Sequence, residues 1–160
     1  MAILPDPARN YILQALEGTP VVVDRLLLAA REPDFDRRPD PERFTLREVI
    51  AHLADWDPVW LERIERMRLE ENPELPSYDE GQWALDHDYA HAVITGQQER
   101  FRAGRRALVA RLRSLTPEEW ERTCRHAQWG DLSISSLAVL VLGHDGYHTR
   151  QISEWLNVGV

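Results

Sequence analysis

Between Ile12 and Trp155 the apolar residues return every three or four positions, and no clear run alternates with period two. That periodicity predicts amphipathic helices that must bury their apolar stripes against one another. The first helix is predicted from about Pro7, where a proline is tolerated in the opening turn, to about Ala30. Its inward positions are Ile12, Leu16, Val23, Leu26 and Leu27. Gly18-Thr19-Pro20 is expected to kink or interrupt it, because Pro20 carries no amide hydrogen. Three prolines and several charges between Glu32 and Glu42 predict a loop.

Thr45-Leu46-Arg47-Glu48 is a capping box and predicts the start of the second helix. Val49, Leu53, Trp56, Trp60, Ile64 and Met67 carry its stripe to about Glu70, and Asn72-Pro73-Glu74-Leu75-Pro76 ends it. A third helix is anchored by Leu108, Leu112 and Leu115, with Phe101 and Ile94 extending the stripe backwards. Gly96 and Gly104 weaken it by about 1 kcal/mol each relative to alanine. Thr116-Pro117-Glu118-Glu119 predicts a short turn of helix through Trp120, and Trp129-Gly130-Asp131 a loop or small hairpin. The fourth helix is capped by Ser133 and runs to about Leu156, with Leu137, Leu140, Val141, His144, His148 and Trp155 on one stripe. With no strand candidates to pair, the expected fold is an all-α, up-down-type four-helix bundle with short additional helical turns. It forms one domain over residues 1–160.

A net charge of −8 makes nucleic acid and anionic membrane poor partners. The cluster Arg100, Arg102, Arg105, Arg106, Arg111 and Arg113 reads as a solvated helix face, because Arg102, Arg106 and Arg113 lie opposite the apolar stripe. Cys124 is the only cysteine, so no intrachain disulfide forms; Arg122 and Arg125 do too little to activate it, and it is read as structural. The N-terminal residues lack the charged and apolar regions of a leader, and the apolar run Leu137 to Leu142 is too short for a membrane span. A soluble cytoplasmic location is the expectation.

His144 and His148, four residues apart on a helix, project their imidazoles from one face. That spacing suits one metal ion, and His52, on the stripe of Val49, Leu53 and Trp56, is the best third donor. Such pairs also arise by chance, so spacing alone leaves open that these are hydrogen-bonded core or surface histidines. His87 and His91 form a second pair near the start of the third helix, read as exposed or pocket-rim residues, and His126 falls in a polar loop. The tryptophans are core or interface anchors, with Trp56 and Trp60 placed to wall a pocket beside His52. Glu48, Asp55, Asp57 and Asp145 are the acids near enough to orient the imidazoles, each otherwise an ordinary solvated charge. No residue identifies itself as a general base.

His52-Leu53-Ala54-Asp55-Trp56, together with His144-Asp145-Gly146-Tyr147-His148-Thr149-Arg150-Gln151-Ile152, resembles the DinB/YfiT-like superfamily of damage-inducible helical bundles. The likeness covers nearly the whole chain: helix order, the long connection after the second helix, and an HxxxHxxQI pattern in the fourth. It implies three histidines on one divalent metal, commonly zinc or nickel, often in a homodimer. The ligand positions match His52, His144 and His148, and Gln151 matches the family's glutamine. Members include S-transferases that use bacillithiol and maleylpyruvate isomerases that use mycothiol. The leading expectation is therefore a metal-dependent S-transferase acting on a small-molecule substrate with a low-molecular-weight thiol as co-substrate. The alternatives are metal-dependent hydrolysis and non-enzymatic binding or sequestration of a metal or small molecule.

Overall fold

A computed structural model describes residues 4–158. Residues 1–3, which enter the reading of the N-terminus as free of a leader, lie outside the described residues. Four long helices form the body: α1 (Asp6–Leu27), α2 (Leu46–Leu69), α4 (Ile94–Ser114) and α6 (Ile134–Leu156). Two short helices, α3 (Glu80–Asp86) and α5 (Pro117–Trp120), decorate the connections. The fold is a four-helix bundle, and among the described residues no helix is long and apolar enough to cross a membrane.

Local chemistry explains where the helices begin. The Thr45 hydroxyl accepts the Glu48 amide at 3.2 Å while the Glu48 carboxylate accepts the Thr45 amide at 2.8 Å, closing the capping box that opens α2. Ser133 accepts the Ser136 amide and opens α6, and Thr116 does the same for α5. α6 closes at Asn157, which adopts a left-handed backbone, φ 54°.

Packing explains the arrangement. α1 packs against α4 and α6, and α2 packs against the same two helices. The first two helices in the chain therefore face each other across the bundle, and the connection between them has to travel around it. One apolar cluster fills the half of the bundle around Leu16, Trp60, Leu108, Leu112 and Leu137, and a second lies around Val23, Ile50, Leu53, Phe101 and Ile152.

Several expectations need correction. α1 continues through Pro20 and ends at Leu27, short of Ala30. The carbonyl of Leu16, four residues before Pro20, accepts a hydrogen bond from Arg105 Nη1 at 2.9 Å, so the acceptor that the proline leaves free is satisfied from another helix. The connection predicted as pure loop contains a 3-10 turn at Glu32–Phe35. His87 and His91 are not on the third long helix: His87 caps the end of α3 and His91 closes a 3-10 turn at Tyr89–His91.

Strands are also present. β1 (Glu74–Leu75) pairs parallel to β2 (Thr123–His126), which forms an antiparallel hairpin with β3 (Gly130–Ser133). Gly130, with φ +72°, supplies the left-handed residue of the turn. The strands are too short for alternation to register in the sequence, yet in β2 Cys124 and His126 point inward and Thr123 and Arg125 outward. His126 is thus a buried strand residue and not a member of a polar loop.

Gly104 has a steric role that helix propensity alone misses. A Cβ built there would sit 3.0 Å from Asp57 Cβ, whereas one at Gly96 would meet nothing within 4 Å. Asp57 cannot retreat, because both of its carboxylate oxygens are held by Arg105. Gly96→Ala is expected to stabilise the protein by about 0.5–1 kcal/mol. Gly104→Ala is expected to destabilise it by about 1–3 kcal/mol, because overpacking outweighs the gain in propensity. Urea unfolding of the two variants measures the difference; an equal gain at both positions would contradict the close approach of α4 to α2.

Candidate metal centre

α2 contributes His52, and α6 contributes His144 and His148 one turn apart. The three rings pack with centroids 4.6–4.9 Å from one another. One nitrogen from each residue falls in a group whose members all lie within 4.8 Å of each other, and His52 Nε2 faces His144 Nε2 at 2.8 Å. Direct packing of α2 against α6 produces this convergence, since neither helix holds all three residues.

The protonation state follows from burial. His52 is completely buried, and removal from water, reinforced by His144 and His148 alongside, pushes its pKa well below the ordinary histidine value. Burial, with His144 close by, likewise pushes His148 down to about 3. These two rings are neutral at physiological pH and present lone pairs. The Nε2 atoms of His52 and His144, 2.8 Å apart, need a proton or a cation between them, and three imidazoles are a donor set for a borderline divalent metal. The residues fit a metal ion.

Gln151 determines which nitrogen of His148 is available. Its amide nitrogen donates to the Phe44 carbonyl at 2.8 Å, so its oxygen faces His148 Nδ1 at 3.1 Å and accepts that hydrogen. Nε2 of His148 is thereby left as the acceptor. Nδ1 of His52 and Nδ1 of His144 are buried without a hydrogen-bond partner. Asp145 Oδ1 approaches His144 Nδ1 at 3.9 Å, a distance too long for a direct hydrogen bond.

The other acids are committed elsewhere. Glu48 binds the Thr45 amide and Arg38 and does not engage His52, because capping consumes its carboxylate. Asp55 accepts from Trp83 Nε1 at 3.0 Å, Tyr89 at 3.2 Å and Arg100 at 2.7 Å. It ties α3 and the turn after it to α2 and α4. Burial raises its pKa, but these donors outweigh it and hold the carboxyl below its ordinary value.

Asp57 and Asp145, read as solvated charges, are 1% and 2% exposed. Both are paired with Arg105, which is itself 2% exposed and so not part of a solvated face. Arg105 donates to Asp57 at 2.9 and 3.0 Å and to Asp145 at 2.9 Å. Two buried carboxylates against one guanidinium leave a surplus negative charge. Burial accordingly pushes Asp57 up to about 6, Arg105 opposing. For Asp145 burial acts in the same direction, but His144 and Arg105 outweigh it and hold the carboxyl low.

Aromatic rings wall the histidines. Trp56 lies 5.2 Å from His52 and 6.1 Å from His144; Trp60 lies 5.8 Å from His144. Phe44, Tyr89 and Tyr147, which the sequence did not single out, complete the wall at 5.2 and 6.3 Å from His52 and 5.0 Å from His148. His144, its side chain 16% exposed, is the member of the cluster open to solvent. His87 stacks on Trp83 at 4.5 Å, and His91 is exposed and paired with Asp88. Neither joins the cluster.

One signal in the sequence marked the buried charges. Arg105 falls on the stripe of Phe101, Leu108 and Leu112; Asp57 on that of Leu53, Trp60 and Ile64; Asp145 on that of Val141 and His148. A charge on an apolar stripe is a buried charge with a partner on another helix.

Comparison with known proteins agrees with this architecture. A protein of Oceanobacillus iheyensis, provisionally named a metal-dependent hydrolase, is 28% identical over 144 residues, covering 90% of this chain and 83% of the relative. YfiT of Bacillus subtilis, named in the same way, is 24% identical over 143 residues, covering 89% and 80%. The solved structure of YfiT, described as a four-helix bundle of unusual topology, superposes with a TM-score of 0.88 at 21% identity, covering 98% of this chain and 91% of that one. The family model of the DinB superfamily matches residues 15–152, and the chain belongs to that superfamily.

Proposed function

We propose that this protein is a hydrolase dependent on a divalent metal held by His52, His144 and His148. The observation that carries the reading is the convergence of three imidazole nitrogens from two helices within 4.8 Å. Relatives named as metal-dependent hydrolases support it. A divalent ion in this setting, zinc or nickel as the resemblance implies, would supply Lewis acidity for activating water or polarising an acyl or phosphoryl oxygen. The protein's own residues do the rest. Gln151 holds His148 in the tautomer that leaves Nε2 free, and the rings of Phe44, Trp56, Trp60 and Tyr89 exclude bulk water. His144 faces the side from which a small-molecule substrate approaches.

Thiol transfer at the same centre is the second reading, and the composition of the walls favours it. The acid beside the histidines, Asp145, is bound by Arg105, so it is not free to take a proton from water. A low-molecular-weight thiol, more acidic than water, would release its proton to solvent on binding the metal and so depends less on such a base. Protein reconstituted with zinc or nickel and given ester, amide and phosphoester substrates, with and without added thiol, separates the two. Turnover without thiol, lost in His148→Ala, is the expected result. Turnover only with thiol would replace hydrolysis by transfer, and metal content no higher than that of His148→Ala would remove both.

A further inference from the structure

Arg63 lies on the α2 stripe between Trp60 and Met67 and is 2% exposed. Arg105, equally buried, has two carboxylates; Arg63 forms no ion pair among the described residues. The rings of Trp56, Trp60, Tyr78 and Trp129 surround its guanidinium carbon at 5.6, 5.0, 5.5 and 5.8 Å. Nη2 donates to the Pro76 carbonyl at 3.1 Å, while Nε and Nη1 are buried without a partner. An arginine keeps its charge even in such surroundings, and aromatic faces compensate that charge without accepting its in-plane hydrogens.

The neighbouring polar atoms show the same deficit. Trp56 Nε1 and Trp60 Nε1 are buried without an acceptor. His126 stacks on Trp129 at 4.1 Å, and its Nδ1 accepts the backbone amides of Gln128 and Trp129. Its hydrogen therefore sits on Nε2, which also lacks a partner. Every one of these unpartnered groups is an N–H donor, which is the signature of a missing acceptor.

We propose that Arg63, with Trp56, Trp60 and His126 around it, forms a subsite for the carboxylate of a small-molecule ligand. The shape and charge favour that group. One positive charge without an ion-pair partner matches a monoanion, and the planar guanidinium fork matches a planar carboxylate. Trp60 and Trp129 lie nearly parallel, 21° apart with centroids at 6.3 Å, and both border the guanidinium. Trp129, 39% exposed on the β2–β3 turn, is the outer wall through which a ligand enters.

The subsite borders the histidine centre, since Trp56 and Trp60 contact both Arg63 and His144. If the metal reading above holds, on which this extension to substrate class rests, the substrate carries a carboxylate on one side of the bond that reacts. Carboxylate binding itself requires no metal.

The test titrates metal-free protein at constant ionic strength with acetate, benzoate, inorganic phosphate and an uncharged amide. Intrinsic tryptophan fluorescence and thermal melting are followed together. Acetate and benzoate are expected to change the emission saturably and raise the melting temperature, in wild type and in His148→Ala alike. Arg63→Met, which keeps the cage and removes the charge, is expected to weaken binding by about tenfold or more, from loss of a charge-assisted pair. Should Arg63→Met fail to fold, Trp129→Ala at the exposed turn is expected to lose most of the emission change and weaken binding several-fold. No response in wild type, an undiminished response in Arg63→Met, or a response to phosphate or amide alone would overturn the proposal. Survival of the carboxylate response in a protein that fails to retain metal would separate this subsite from the metal reading.

Discussion

Arg105→Ala is expected to cost about 3–5 kcal/mol of folding stability at neutral pH, a large share of what a domain of this size possesses. The substitution leaves Asp57 and Asp145 buried with no counter-charge, and also frees the Leu16 carbonyl that Pro20 cannot bond. Protonating the carboxylates relieves the first problem, so the deficit shrinks as pH is lowered towards 5. In the wild type the two acids work in opposite directions. Asp57, raised from 3.8 to about 6, retains a proton that an unfolded carboxyl has released, so its contribution to stability falls as pH rises through that interval. Asp145, held low, contributes stability above the unfolded carboxylate value and loses it as pH falls. Urea unfolding at pH 7 and pH 5 measures the shrinking deficit and the Asp57 contribution, and a third measurement below the unfolded carboxylate value of 3.8 reads that of Asp145. A loss under about 1 kcal/mol at pH 7 would mean that the network is not buried as described.

The network also reaches the histidine centre. Asp145 is fixed by Arg105 directly behind His144, so any folded fraction of Arg105→Ala is expected to bind metal more weakly than wild type.

His148→Ala is expected to abolish stoichiometric zinc or nickel binding, because only two of the three imidazole donors, those of His52 and His144, remain. His52→Ala and His144→Ala should behave alike. Gln151→Ala leaves every ligand in place but releases the Nδ1 hydrogen of His148, and is expected to weaken binding by about 10–100-fold. His87→Ala and His91→Ala are expected to bind as wild type, since neither ring joins the cluster. Metal analysis after dialysis, with competition against a chromophoric chelator, ranks the series. Equal retention by wild type and His148→Ala would remove the metal centre; equal affinity of Gln151→Ala and wild type would remove the tautomer argument alone.

What the sequence determined by itself is local. Periodicity identified the four long helices, and the capping residues Thr45, Thr116 and Ser133 marked where α2, α5 and α6 begin, because a cap involves residues only three apart. The i, i+4 spacing put His144 and His148 on one face of α6, and the stripe of α2 turned His52 inward for the same reason. What tertiary structure decided is which stripes meet. The Arg105 contacts to Asp145, Asp57 and Leu16 span 40, 48 and 89 residues, and helical period carries no information about such partners. The four strand residues of β2 were too few for their alternation to stand out until β1 and β3 paired with them. Arg63 presents the same division. Its place on the apolar stripe was legible, but its aromatic enclosure without a carboxylate exists only once Tyr78 and Trp129 fold over α2.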